Sequence, residues 1–168
     1  MRNNPKTVII TGASQGIGAA IVQAFLARGY NVVGAARNAT NSKELSPSDH
    51  LALIDGNIGQ FETAQKIAGL AVKKFGSIDA VVANAGIFLV KPFIEYTPQD
   101  FAALVATNLA GFIHVTQLAV KQMLAQNTGG SIGKPRSPVI AMRLRRSALS
   151  ILSIRSRGLF GSLPGLDS

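Results

Sequence analysis

The sequence predicts an α/β fold, a doubly wound parallel sheet present as its N-terminal half and followed by an irregular C-terminal tail. Three observations carry that reading. Short, almost wholly apolar segments alternate with helix-length periodic segments from about residue 7 to residue 126. Strands that apolar are covered on both faces, as in parallel sheets. A glycine-spaced turn, Gly12, Gly16 and Gly18, separates the first apolar segment from the first periodic one. Each of the four apolar segments also runs into a chemistry-bearing residue or motif, and right-handed crossovers bring those ends to one edge of the sheet.

The elements follow in order. Val8–Ile10 is a short buried strand by composition. Ile17, Ile21, Val22, Phe25 and Leu26 recur at helical spacing over 17–28, and Gly29 closes that helix. Asn31–Ala36 reads as a second strand. Residues 38–50 are polar, contain Pro47, and form a loop. Leu51–Ile54 is a third strand that ends at Asp55. Phe61, Ala64, Ile67, Ala68, Ala71 and Phe75 make a helix closed by Gly76. Ala80–Ala83 is the fourth strand, and Asn84-Ala85-Gly86 follows it. Thr97-Pro98-Gln99-Asp100 starts a helix, with Thr97 as N-cap and Asp100 completing a capping box. That helix runs to about Gln126 and stops at Gly129-Gly130.

Composition bounds the function. A length of 168 residues is one domain by the usual prior, and 47% hydrophobic residues suffice for a core. There is no cysteine and only His50 and His114, so neither a disulfide framework nor a thiolate or histidine metal site is expected. The N-terminus does not read as a signal peptide, and no run approaches the roughly 18 apolar residues of a membrane span. A cytoplasmic protein without a membrane partner is the expectation. The net charge of +9 is uneven. Residues 1–132 hold 10 Lys+Arg against 7 Asp+Glu, and residues 133–168 hold 7 against one. A near-neutral domain with a basic tail does not argue for nucleic acid.

The glycine turn carries the first chemistry. Backbone N–H groups at a helix N-terminus lack partners and carry partial positive charge, so a pyrophosphate can sit there. Gly12 suits the tight turn, Gly16 lets backbone approach the phosphates, and Gly18 lets helix and strand pack closely. The alternative is an ordinary strand-to-helix turn.

Thr11-Gly12-Ala13-Ser14-Gln15-Gly16-Ile17-Gly18, Asp55, Asn84-Ala85-Gly86 and Asn108 within ATNLAGFIHVTQ together resemble the short-chain dehydrogenase/reductase family over about residues 5–132. The resemblance implies a Rossmann-like dinucleotide-binding domain over 1–132. It implies hydride transfer between a nicotinamide dinucleotide and a small carbonyl or alcohol. Gly12, Ser14, Gln15, Gly16, Ile17 and Gly18 would then cradle the cofactor, Asp55 would contact adenine, and Asn84, Ala85 and Gly86 would line the cofactor. Asn108 would hold a water in the proton relay. Each has a plainer alternative: Asp55 caps a turn, Asn84 is a left-handed turn residue, and Asn108 makes a structural hydrogen bond. Arg37 follows Ala36 where NAD binders carry an acid. A guanidinium suits a 2′-phosphate, so NADP(H) is expected over NAD(H).

The pattern then breaks. The family pairs a tyrosine general acid with a lysine four residues on, and the cation brings the tyrosine toward neutrality. This sequence has only Tyr30 and Tyr96, followed four positions later by Gly34 and Asp100. Family spacing puts Ser137, Ser150 and Ile154 at the serine, tyrosine and lysine positions. The resemblance stops after Gly129-Gly130-Ser131-Ile132, which leaves the fourth strand without a neighbour on one side. Residues 133–168 hold six arginines against three before them, and Ser, Arg, Leu, Gly and Pro supply 26 of the 36. That bias is what a GC-rich coding sequence yields out of frame, so a frameshifted, truncated dehydrogenase is expected. Met142, Leu144, Leu149, Ile151, Leu152 and Ile154 among arginines offer a basic amphipathic segment as an alternative. A cofactor-binding module without turnover, a basic-tail interaction protein, and association into a homo- or hetero-oligomer stay open.

Overall fold

The computed structural model describes residues 4–135, 141–145 and 148–150, the last two stretches as backbone. Ser137, Ile151, Leu152 and Ile154 lie outside the described residues. The elements are β1 (Thr7–Thr11), α1 (Gly16–Leu26), β2 (Asn31–Ala36), β3 (Leu51–Asp55), α2 (Phe61–Phe75) and β4 (Ala80–Ala83). After them come a single 3-10 turn (Phe93–Glu95), α3 (Pro98–Val105), a π-helical turn (Ala106–Ala110), α4 (Gly111–Ala125) and β5 (Gly130–Gly133). The strands β6 (Ala141–Arg145) and β7 (Ala148–Ser150) complete the set.

The sheet order is β3-β2-β1-β4-β5-β6-β7. The first five strands are parallel, and β6 and β7 add an antiparallel hairpin. Pleating sorts β1 into two cores. Ile9 points to one face with Val33, Ile67, Ile78, Val115, Met123 and Ile132, beneath α2 and α4. Val8 and Ile10 point to the other with Val22, Val32 and Leu51, beneath α1. Each such side chain contributes about 1.5–3 kcal/mol on full burial. Thr97 and Asp100 form the expected capping box.

Three expectations are corrected. The fourth strand does have a neighbour: β5 pairs parallel with β4 through Ser131, Ile132 and Gly133. Glycines at both ends and one buried apolar side chain, Ile132, give this strand almost no sequence signal. Part of the segment after 133, read as irregular, extends the sheet as β6 and β7. Finally, Pro98–Ala125 is a continuous helical stretch of 28 residues, long and apolar enough by length and composition to cross a membrane. Scattered polar residues hide this from a search for an unbroken apolar run. In the fold its buried side chains, Val115, Ala119 and Met123, pack into the core.

Candidate functional site

The site is built where the parallel strands end. Gly12 leaves β1 with a φ of +68°, and a Cβ on it would stand 2.9 Å from the Ala85 Cα. The approach at Gly18 is closer: a Cβ there would meet the Gly12 carbonyl oxygen at 1.8 Å. Only glycine lets α1 begin against this turn. The amide of Asn84 donates to the Gly12 carbonyl at 3.2 Å, and the Ala85 N–H donates to Thr11 Oγ1 at 3.0 Å. The turn after β1 and the segment after β4 are thereby one unit.

Gln15 is the N-cap of α1 in extended conformation and supplies no side-chain cap. The N–H groups of the first turn therefore look for an acceptor elsewhere. For Gly16 that acceptor is the Glu44 carboxylate, to which its N–H donates at 3.1 and 3.0 Å. The 38–50 loop is fastened at two further points: Ser42 Oγ donates to the Ser14 carbonyl at 2.6 Å, and Gln23 Nε2 to the Glu44 carbonyl at 2.8 Å. Ile17, one residue on, is 49% exposed.

Arg37 is exposed immediately after β2. Asp55, at the end of β3, accepts from the Thr40 N–H at 2.9 Å and from Thr40 Oγ1 at 2.5 Å. The Thr40 hydroxyl, then its N–H, hold this carboxyl below the usual carboxylate range. These are the turn-anchoring bonds of the plainer reading of Asp55.

Asn84, Ala85 and Gly86 lead from β4 to Ile87, where Asn108 meets them. Asn108 Oδ1 accepts from the Ile87 N–H at 2.8 Å, and its Nδ2 donates to the Ile87 carbonyl at 2.9 Å. This side chain is fully engaged in a structural clamp. Asn108 lies in the π-helical turn, and its own carbonyl accepts from Lys134 Nζ at 3.0 Å. Such turns are rare and concentrate at functional sites. Lys134, just beyond β5, also stands 5.3 Å from the centre of the Phe112 ring.

The structure therefore gathers Gly12, Ser14, Gln15, Gly16, Ile17, Gly18, Arg37, Asp55, Asn84, Ala85, Gly86 and Asn108 along the carboxyl edge of β1 to β4. Sequence reasoning missed Thr40, Ser42, Glu44 and Lys134. A polar loop offers no period from which to choose among its side chains, and Lys134 looks like one basic residue of a basic tail. Neither tyrosine joins the site as a free acid. Tyr30 packs edge-on against Phe25, and the Tyr96 hydroxyl donates to the Leu89 carbonyl at 2.6 Å. A cavity of about 650 Å³ lies at the opposite, amino end of the sheet, lined by Lys6, Ser77, Asp79 and Gln126 among others. There Asp79 accepts from the Thr7 N–H and from Ser77, while Gln126 holds the backbone of Ile78, so these polar groups are paired within the fold.

A parallel sheet in this order, with a glycine turn at the end of its central strand and helices on both faces, is a Rossmann-type nucleotide fold. The chain belongs to the short-chain dehydrogenase family, whose model matches residues 6–134. This is a family of oxidoreductases that bind nicotinamide dinucleotides and small substrates. The chain is 38% identical to the L-rhamnose-1-dehydrogenase of Scheffersomyces stipitis over 138 residues, covering 77% of this chain and 54% of that protein. It is 33% identical to an L-rhamnose 1-dehydrogenase (NAD(P)(+)) of Azotobacter vinelandii, with coverages of 76% and 53%. Among solved structures, ElxO with NADP bound superposes with a TM-score of 0.70 at 29% identity, over 77% of this chain and 54% of that one. The chain spans about half the length of the curated relatives it matches.

Proposed function

We propose that residues 1–132 form a dinucleotide-binding domain that prefers NADP(H) to NAD(H). We propose further that these 168 residues bind the cofactor without completing the family's hydride transfer between it and a carbonyl or alcohol. One observation carries the binding half: the glycine turn, Arg37, Asp55 and Asn84-Ala85-Gly86 stand in register along one edge of the sheet. The site also fits an anion chemically, because the Gly16 N–H already holds a carboxylate. In this reading the N–H groups from Gly16 to Gly18 hold the pyrophosphate, and Asn84 and Ala85 keep the turn in shape. Arg37 meets the 2′-phosphate with a two-pronged guanidinium, which a lysine would not reproduce. Bound nicotinamide would supply or accept the hydride.

The incomplete half rests on the tyrosines. Neither Tyr30 nor Tyr96 begins a Tyr-x-x-x-Lys, and both are spent on packing or a backbone carbonyl. We read residues 133–168 as a tail unrelated to the family, derived by a frameshift; sequencing the gene past codon 132 tests this. No alternative frame encoding an apolar strand and a Tyr-x-x-x-Lys would end that reading. The binding half is tested by fluorescence titration with NADPH and NADH. NADPH binds more tightly, and Arg37→Asp reverses the order. Equal affinity for the two before the change would overturn the preference.

A further inference from the structure

We infer that Glu44 is an internal competitor for the phosphate-binding N–H groups, so that the 38–50 loop sets the affinity of the nucleotide site. The inference rests on the nucleotide reading of the glycine turn and adds a residue to it. Three observations meet at this point. Both carboxylate oxygens of Glu44 lie within 3.1 Å of the Gly16 nitrogen. That N–H belongs to the first turn of an 11-residue helix whose N-cap side chain supplies no acceptor. The carboxylate is also delivered rather than merely nearby. Gln23, on α1 itself, holds the Glu44 carbonyl at 2.8 Å, and Ser42 holds the Ser14 carbonyl inside the glycine turn at 2.6 Å. Thr40, bound to Asp55, fixes the near end of the same loop.

The loop is thus pinned to the first helix turn, and the anion it presents matches in charge the group a dinucleotide brings. A pyrophosphate and the Glu44 carboxylate cannot share one N–H donor, and as like charges they repel at contact distance. Nucleotide binding must therefore break the Glu44 contact and move its side chain away. Gln23 and Ser42 hold the loop by backbone carbonyls, so they keep their bonds when only the carboxylate swings out. The device lowers affinity without blocking the site, because an exposed charged contact is worth little.

The experiment compares the 168-residue protein with Glu44→Ala, which removes the acceptor, and Glu44→Gln, which removes the charge and keeps one acceptor oxygen. Calorimetry with ADP-ribose and with inorganic pyrophosphate reads affinity, and amide exchange at Gly16 reads the contact without any ligand. We expect Glu44→Ala to bind ADP-ribose roughly twofold to fivefold more tightly, with Glu44→Gln between it and the parent. The gap should close at about 1 M salt, where the screening length is about 3 Å. Gly16 exchange should quicken in Glu44→Ala. Affinity of Glu44→Ala equal to or weaker than the parent's, or a gain that persists at about 1 M salt, overturns the competitor role and leaves the nucleotide site standing. No binding by any of the three proteins overturns the nucleotide reading and this inference with it.

Discussion

One threonine fixes the near end of the β2–β3 connection. Thr40 gives both its hydroxyl and its N–H to Asp55, and the loop that carries Ser42 and Glu44 starts from that point. Because these donors favour the charged carboxylate, the folded Asp55 titrates below the ordinary 3.8. The sign follows directly. A depressed carboxylate stabilises the fold above its unfolded pKa, and the contribution disappears as pH falls from about 3.8 through the lower folded value. The loop anchor is therefore at full strength at neutral pH and fails only in acid. Thr40→Val removes the hydroxyl and keeps the N–H, so Asp55 should move back toward 3.8 without returning fully. A carbon-detected NMR titration of the side chain checks this. An Asp55 pKa unchanged in the variant would mean that the hydroxyl is not what lowers it.

At the level of elements, the helix running from Pro98 to Ala125 does two jobs with one interruption. Its capping box and Lys91, paired with Asp100, fix the start, and Asp100 is held well below the usual carboxylate range, first by Lys91 and then by Thr97. The π-helical turn at Ala106–Ala110 then sets Asn108 against Ile87. Replacing Asn108 by Ala strands one partly buried N–H and one C=O, each costing about 1–3 kcal/mol when left unmade. Asn108→Asp should also destabilise, since it keeps an acceptor for the Ile87 N–H but loses the donor to its carbonyl. Urea midpoints measure both, and a midpoint unmoved by Asn108→Ala would show that water replaces the clamp at no cost. The helix itself was legible in the sequence from Thr97 and Asp100, because a capping box is a local pattern. So were β2, an apolar run that follows Gly29, and α2 and β4, whose apolar runs end at Gly76 and at Asn84-Ala85-Gly86. The π-helical turn was not, because propensities do not distinguish it from α-helix. Nor was β5, where pairing with β4 rather than composition makes the strand. In the site, glycine spacing and strand ends were readable. The bonds from Thr40, Ser42 and Glu44 were not, because they join positions 15 to 28 residues apart.

Over the described residues, the carboxyl edge of β1 to β4 carries the candidate nucleotide site, and the segment that follows β4 is open to solvent. The parallel order β3-β2-β1-β4-β5 brings four strand ends together, yet beyond β4 Phe88, Val90, Phe93 and Ile94 are 82–92% exposed. A reacting carbonyl there would face water rather than fixed dipoles, and charge stabilisation is weaker in that setting. Among the described residues neither tyrosine is free to donate a proton there. Tyr96 is committed to Leu89, and the ammonium nearest its ring, Lys91 at 5.4 Å, is neutralised by Asp100. Lys134 is a cation at the right edge of the sheet, but it is bound to the Asn108 carbonyl and has no tyrosine to act on. An amide such as Asn108 gives up no proton, and its side chain is already closed on Ile87. Absence of a positioned general acid costs about 10²–10⁴-fold in rate. We therefore expect the 168-residue chain to show no carbonyl reduction above background across a panel of ketones and aldehydes, under conditions where NADPH is bound. Loss of NADPH absorbance is the assay, beside a full-length member of the family as control. Robust turnover by this chain would mean that Tyr96 or another group leaves the partner seen here and serves as the acid, and Tyr96→Phe would tell which.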